Sequence, residues 1–531
     1  MTLSEQHKEA SSEPKILKED TMKDLPPHIQ RPNYKLEDVK VGVLHFGPSF
    51  FFRGHLAVYL NDLLNEGHMD WGVCAVGLRS SRLSELKKQN YLYSVIEEGK
   101  DGTEYKVIGS LRETMSTETD GKRAIIERML DPNIKLVTMT ITQFGYHYRP
   151  DTILDWEHED VKASLENIDE PTITVGFIVA ALKGRMERGI PPFSVMSCDN
   201  FPNNAEILKF TVLAYAREVS KELRDWIATN VSFQGTMVDR IVPSKEATKH
   251  KRDYHHHTLG MVDICPIFTE PFRQFVISEP KEGVELPPLE KVGAKIVNNV
   301  DEYELTKIRT LNGVHMALGL FGRLVGCGRV DEAMSKSRIK EFAQGFMEEV
   351  GQTLPEIEGM DLDRYREDIV NRLENPHMGD ELVRLARDGL KKIPDRVVAP
   401  LQDLYAKGGP IETRKHLLLS FAMWIEYLAR AGRDSGFDIS DKAAVAHGLT
   451  DVAAELDSDP TPFLMLDEIQ NICRVIPNSV QFIDELREVY AALDDHLKAA
   501  MQDSADHILG QDNEDAPSLP QGPKNSDREP G

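Results

Sequence analysis

One change of texture along the chain governs what it can fold into. Between about residues 39 and 297, short runs of β-branched and apolar residues, "VKVGVLHFG", "WGVCAVGL", "IKLVTMTIT" and "PFSVMSCDN", alternate with helical stretches. Strands alternating with helices build βαβ units on a largely parallel sheet, because each crossover helix covers a face of that sheet. Beyond about 298 the β signal fades, and amphipathic stretches such as "IKEFAQGFMEEV" and "HLLLSFAMWIEYLAR" take over. The expectation is an α/β domain over 39–297 followed by a mostly α-helical domain over 298–503. The polar, proline-dotted residues 1–38 read as a flexible N-terminal arm. Residues 504–531, rich in acid, Pro and Gly, read as a disordered acidic tail.

A net charge of -24 argues against a nucleic-acid partner, since phosphate backbones call for a basic surface. No run approaches the roughly 18 apolar residues of a membrane span, so no membrane association is expected. The first twenty residues lack an apolar signal core, which points to a cytoplasmic protein. Cys74, Cys198, Cys265, Cys327 and Cys473 are scattered, with no Cys-x-x-Cys pair, which fits a reducing compartment and no metal site. The triplet His255, His256, His257 sits between charged residues and reads as a solvated turn. A monomer or weak homo-oligomer is expected.

In a doubly wound sheet, phosphates bind at the turn after the first strand, on glycines and a helix N-terminus. That turn here is "HFGPSFFFRGHLAVYLNDLL", with Gly47 at the tight position and Ser49 where G-x-G-x-x-G would have its second glycine. The second strand ends in Arg79, Ser80, Ser81 and Arg82, with no carboxylate between Asp70 and Glu85. A 2′-phosphate wants arginine and hydroxyl donors, whereas free ribose hydroxyls want an acid. A dinucleotide bound here would therefore lean towards NADP(H), with NAD(H) the alternative. A solvated loop carrying two arginines is the competing reading.

The stretch "YELTKIRTLNGVH" places polar groups on what otherwise reads as a buried helix. On a regular α-helix Glu304, Lys307, Asn312 and His315 fall within an arc of roughly 140°. A desolvated lysine has a depressed pKa and is a candidate general base. An asparagine amide beside it is a donor to an oxygen gaining charge, and a histidine is a holder of a hydroxyl or carbonyl. The plainer alternative is a snorkelling lysine beside Glu304 with core polar groups satisfied by backbone. Tyr303 and Lys307 also form a Tyr-x-x-x-Lys pair of the short-chain dehydrogenase type. That site further requires a serine about a dozen residues upstream, and none lies between Ser278 and Ser335.

Taken together, the blocks "HFGPSFFFRGHLAVYLNDLL", "PFSVMSCDNFPNNAEIL", "MVDRIVP", "YELTKIRTLNGVH" and "RLARDGLKKIP" resemble, in order, those of the polyol-specific long-chain dehydrogenases, the mannitol 2-dehydrogenase family. The resemblance covers about residues 40–500. It implies an α/β Rossmann-type N-terminal domain followed by a mostly α-helical C-terminal domain, and a zinc-independent oxidoreductase. By position, Lys307 matches the family's general base, and Asn200 and Asn312 its oxyanion hole. His315 and Asp239 match residues that position substrate hydroxyls, Arg384 and Lys392 match cations of the pocket, and Glu304 matches an acid that passes the proton to solvent. Eight residues apart, Arg384 and Lys392 would sit about 80° apart on one helix. Gly47, Ser49, Phe51 and Arg53 match the cofactor turn Gly-x-Gly-x-Phe-x-Arg, with serine replacing its second glycine; the family's "PHNG" reads "PNNA" at Pro202–Ala205.

The implied reaction interconverts a sugar alcohol and a ketose, D-mannitol and D-fructose first. The alternatives are a hexonate–hexuronate pair such as mannonate and fructuronate, a pentitol such as arabinitol, or a homologue that binds without turning over. A carboxylate substrate would call for a further unpaired cation in the pocket.

Overall fold

The computed structural model describes residues 15–78, 83–245 and 248–503. Six strands, β1 (Val41–Phe46), β2 (Gly72–Gly77), β3 (Leu111–Ser116), β4 (Leu136–Met139), β5 (Ser194–Ser197) and β6 (Phe233–Gln234), form one sheet in the order β3-β2-β1-β4-β5-β6. Every neighbouring pair is parallel. This is the doubly wound order of dinucleotide-binding Rossmann domains, in which chain direction switches between β1 and β4. The four quoted runs supply β1, β2, β4 and β5. Residues alternate cleanly between two cores: Val43, Val73 and Ala75 pack on one face, while Leu44, Phe46, Cys74 and Val76 pack on the other. That period of two, buried on both sides, is why these strands read as continuous apolar runs.

A smaller sheet joins β7 (Thr236–Asp239), β8 (Gln274–Ser278) and β9 (Lys295–Val297), with β7 antiparallel to β8. Tyr93–Gly99, Gly102–Ile108 and Ile267–Thr269 form a third. Among the described residues no strand follows Val297. The helical half has one core running from Leu311 to Ala500, threaded by the helix Lys415–Arg433, whose Leu417, Phe421, Trp424 and Leu428 are fully covered.

Two expectations need correction. Residues 15–38 are not a loose arm: Leu17, Leu25, Ile29 and Leu36 are buried together against the third sheet, and Ile16 bridges Val262. Their spacing follows neither helix nor strand period, so the sequence carried no element signal. His255 is likewise not on a solvated turn. It lies on the helix Arg252–Leu259, buried, 2.6 Å from the Tyr105 hydroxyl and 3.6 Å from Glu98. The tail over 504–531 lies outside the described residues.

Candidate active site

The first turn is built around Gly47. Its φ is +82°, and a Cβ there would stand 2.3 Å from the carbonyl oxygen of Thr140, so only glycine lets β1 and β4 close at the switch point. His45 fastens the same corner, its ring nitrogens 2.8 Å from Thr138 Oγ1 and 3.1 Å from Thr140 Oγ1; burial pushes its pKa down to about 3, so it is neutral. Ser49 caps α1 (Phe50–Gly54) by accepting from the Phe52 N–H at 3.2 Å. The serine that breaks the glycine pattern is therefore a helix cap, followed directly by α2 (Leu56–Asn65).

A cavity of about 280 Å³ opens beside this turn, at the carboxyl ends of β1 and β2. Gly47, Ser49, Arg53, Leu78 and Thr140 line it, together with two cations that sequence reasoning did not single out, Lys245 and Arg252. Arg53 is nearly buried, donates to the Cys265 carbonyl at 3.1 Å and stacks 4.8 Å from the Phe50 ring. Position, glycine cradle and cation supply fit a dinucleotide's phosphates. Phe51, grouped with this turn in the sequence, lines a different cavity. Arg79, Ser80, Ser81 and Arg82 lie outside the described residues.

That second cavity, about 930 Å³, lies between the two halves of the chain. Asn200 and Asp239 reach it from the first half, and Lys307, Asn312, His315, Arg384 and Lys392 from the second. The stretch carrying three of these is not one regular helix. α3 (Asp301–Lys307) runs into a single π turn, Ile308–Asn312, before α4 (Gly313–Leu324). The wider turn resets the phase between Lys307 and His315, so the 140° arc of a regular helix does not apply, although all three side chains still meet the cavity. Such π turns concentrate at functional sites.

Lys307 is 5% exposed. Its Nζ donates to Asn200 Oδ1 at 2.8 Å and to the Val238 carbonyl at 2.5 Å. Burial lowers its pKa; Asp239 and Glu304 pull it up, and Arg372 pushes it further down. A neutral amine has two N–H groups and one lone pair, so these two acceptors leave the lone pair as the third direction. Because Asn200 accepts through Oδ1, its NH₂ is turned elsewhere, as a donor. Asn200 is itself held by its neighbour Asp199, whose carboxylate accepts from the N–H groups of Ile141 and Thr142 and from the Tyr146 hydroxyl, at 3.0, 2.8 and 2.7 Å. The side-chain amide of Asn312 makes no hydrogen bond to another described residue, while its carbonyl accepts from Arg396 at 3.1 Å. Burial lowers the His315 pKa to about 4, which keeps the ring neutral.

Glu304 lies on the other side of Lys307, in an adjoining cavity of about 200 Å³ that also touches Asn200, Asn312 and Lys392. Burial raises its pKa to about 7, partly opposed by the Asn203 N–H at 3.4 Å. Asp239, matched by the resemblance to a residue that positions substrate hydroxyls, lines the larger cavity. Both of its oxygens accept from Arg372, at 2.8 and 2.9 Å, on α5 (Leu362–Leu373). No motif flagged Arg372, because nothing local marks a partner 133 residues away.

Arg384 and Lys392 do not share a helix. The first is on α6 (Leu382–Ala386) and the second on α7 (Gly389–Ile393), broken by Asp388 in the left-handed region at φ 54°. Arg384 pairs with Asp380, whereas Lys392 has no carboxylate partner among the described residues; burial lowers its pKa to about 8. α6 is seated by Gly319 of α4, where a Cβ would come within 2.7 Å of the Ala386 nitrogen. Among the described residues no group of three or more His, Cys, Asp or Glu is placed to hold a metal, and no helix is long and apolar enough to cross a membrane.

Comparison with known proteins fits this geometry. The model of the mannitol dehydrogenase Rossmann domain matches residues 41–291, and that of the mannitol dehydrogenase C-terminal domain matches 299–494. Mannitol 2-dehydrogenase of Aspergillus fumigatus is 34% identical over 469 residues, covering 86% of this chain and 91% of that protein. An uncharacterized oxidoreductase of Escherichia coli, YeiQ, is 33% identical over 471 residues, 88% of this chain and 95% of that one. Among solved structures, a substrate-free D-sorbitol dehydrogenase superposes with a TM-score of 0.84 at 31% identity, covering 92% of this chain and 100% of that one. The Pseudomonas fluorescens mannitol 2-dehydrogenase complex with NAD and D-mannitol gives 0.74 at 33% identity, covering 92% and 98%. With both of its domains matched in order over nearly the whole length, this chain belongs to the mannitol dehydrogenase family and is a nicotinamide-dependent polyol dehydrogenase.

Proposed function

We propose that the chain interconverts D-mannitol and D-fructose, with Lys307 as general base and the amides of Asn200 and Asn312 as the oxyanion hole. The observation that carries this reading is the Lys307 amine. It is buried, its pKa is lowered, and its two N–H bonds are committed to Asn200 and Val238, leaving the lone pair for a substrate hydroxyl.

In polyol oxidation Lys307 Nζ takes the hydroxyl proton, and the Asn200 and Asn312 amides donate to the oxygen that gains charge. A nicotinamide ring, when bound, supplies the hydride acceptor for the carbinol carbon. Neutral His315 holds a neighbouring hydroxyl in place. Glu304, titrating near 7 in the adjoining cavity, passes the lysine proton outward. The turn of Gly47 and Arg53, capped by Ser49, holds the cofactor's phosphates, and Arg79, Ser80, Ser81 and Arg82 favour NADP(H) over NAD(H) by their donors.

A second substrate reading, a hexonate–hexuronate pair, is favoured by one observation. Arg396 lines both cavities and lies near Lys392; among the described residues neither forms an ion pair, Asp395 and Asp388 acting on them only through their charge. Together they supply the further unpaired cation that a carboxylate substrate calls for.

The test is the loss of NADPH and NADH absorbance, in parallel, with D-fructose, D-fructuronate and D-ribulose. A fructose rate abolished in Lys307→Ala supports the first reading, and a larger fructuronate rate that collapses in Arg396→Ala supports the second. The NADPH-to-NADH ratio decides cofactor preference. Absence of turnover and of cofactor binding would identify a homologue that binds without catalysis.

A further inference from the structure

We propose that Arg372 is a positioning residue for the general base: clamped between Asp239 and Glu270, it takes up the Asp239 carboxylate and so keeps Lys307 in its proton-accepting form. The inference rests on the Lys307 reading above.

The geometry is a buried chain of three charged groups, Glu270, Arg372 and Asp239, that ends beside the Val238 carbonyl to which Lys307 donates. Arg372 Nη1 and Nη2 donate to the two oxygens of Asp239 at 2.8 and 2.9 Å, while Nε and Nη2 donate to the two oxygens of Glu270, both at 2.8 Å. All four side chains are nearly covered: Lys307 is 5% exposed, Asp239 4%, Arg372 6% and Glu270 1%. The Phe272 ring closes one face of the guanidinium at 4.1 Å, and Glu270 is further fixed by the Ile241 N–H at 2.6 Å. A bidentate pair on each side leaves Arg372 one geometry, which lysine could not reproduce.

The consequence for Lys307 follows from what surrounds it. β7 presents Asp239 and the Val238 carbonyl, the turn after β5 presents Asn200, and α3 itself presents Glu304. Neutral His315 approaches from α4 and Arg372 from α5, where the buried Tyr365 faces Asp239 and Arg372. Asp239 and Glu304 favour a proton on the amine and Arg372 opposes it by charge, while Lys392, Asp395 and Arg396 line the adjoining cavity from the segment after α6. A free carboxylate beside a buried lysine would hold that lysine as an ammonium, its lone pair lost. Arg372 withdraws Asp239 from that role, and Glu270 supplies the second carboxylate that lets the arginine stay charged where burial opposes it. Because Asp239 and Glu270 belong to the first half of the chain and Arg372 to the second, the base is tuned only when the halves are docked.

The experiment is the pH profile of kcat/KM for polyol oxidation in the full chain, comparing wild type, Arg372→Met, Arg372→Lys and Arg372→Met/Asp239→Asn. In Arg372→Met the rising limb is expected to move up by about one pH unit or more. That is at least about a tenfold loss near neutrality, recovering at alkaline pH. Arg372→Lys should shift it less, and adding Asp239→Asn should bring the limb back towards lower pH. A uniform loss at every pH with the limb unmoved, in both Arg372→Met and Arg372→Lys, would overturn the proposal and leave Arg372 a structural clamp. Circular dichroism reports whether each variant is folded; if Arg372→Met is not, the direction of the Arg372→Lys limb decides. A limb that survives in Lys307→Ala would instead sink the lysine assignment, an outcome separable from any effect of Arg372.

Discussion

Lys307 Nζ stands 2.8 Å from Asn200 Oδ1, a hydrogen bond that joins the end of the fifth Rossmann strand to the first helix of the second half. In the proposed reading, the base and one of its oxyanion donors thus come from different domains and orient each other. On that reading neither group would act without the docked interface.

Lys307→Met is expected to lower polyol oxidation by about 10²- to 10⁴-fold while raising the melting temperature at neutral pH. The lysine binds its proton less tightly folded than unfolded, so below the ordinary value of 10.5 the unfolded chain holds more protons and the folded state is penalised. The penalty fades as pH rises towards that value. Melting curves of the two proteins should therefore converge as pH approaches 10; a constant gap would refute this account.

Glu304→Gln removes the group that titrates near 7 in the adjoining cavity. The expected result is a loss of roughly tenfold in kcat with little change in KM, smaller than that of a direct proton-transfer group. Curvature near pH 7 in the wild-type kcat profile should disappear from the variant's. An unchanged profile would remove Glu304 from the proton path.

Asn312→Ala leaves the Asn200–Lys307 hydrogen bond in place and takes away one amide donor. Losses of about 10²- to 10³-fold in kcat are expected in both reaction directions. Equal losses in Lys307→Met and in the double variant with Asn312→Ala would show that the two groups act as a unit.

Gly47→Ala is expected to abolish cofactor binding, measured by quenching of tryptophan fluorescence with NADH and NADPH, because the added Cβ meets the Thr140 carbonyl. Ser49→Ala, which deletes only the cap of α1, should cost about 1 kcal/mol of stability and weaken binding far less. Equal loss in both would mean that the serine hydroxyl itself holds the cofactor.

Gly319→Val should push α6 away from α4, since even a Cβ would sit 2.7 Å from the Ala386 nitrogen. A destabilisation of about 1–3 kcal/mol and a raised KM are expected, as Arg384 moves with its helix. A raised KM without loss of stability would point to direct substrate contact by this part of α4.

Much of the molecule was legible because its signals are local. The four apolar runs became β1, β2, β4 and β5, since burial on both faces of a parallel sheet demands unbroken hydrophobic strings. β3, "LRETMS", sits at the sheet edge with a half-buried face and has no such string. Lys307, Asn312 and His315 were readable as chemistry because polar groups stood in apolar company, Asn200 came only from the resemblance, and the fold brings all four to one cavity. What escaped was non-local. Arg372 gains its meaning from Asp239 and Glu270, and Lys245 and Arg252 from a turn some two hundred residues earlier. The break at Asp388 and the π turn at Ile308–Asn312 are backbone events to which helical periodicity is blind.

The π turn also gives this site an adjustable phase. Deleting any one residue from Ile308–Asn312 would let the segment relax into a plain α-helix, keeping both flanking helices and their packing. Winding the same turn into α-helix with every residue kept would instead rotate His315 by about 100° relative to Lys307. The extra residue thus works as a detent: with the turn wide, Lys307 and His315 line one cavity, and with it wound tight the histidine would turn away.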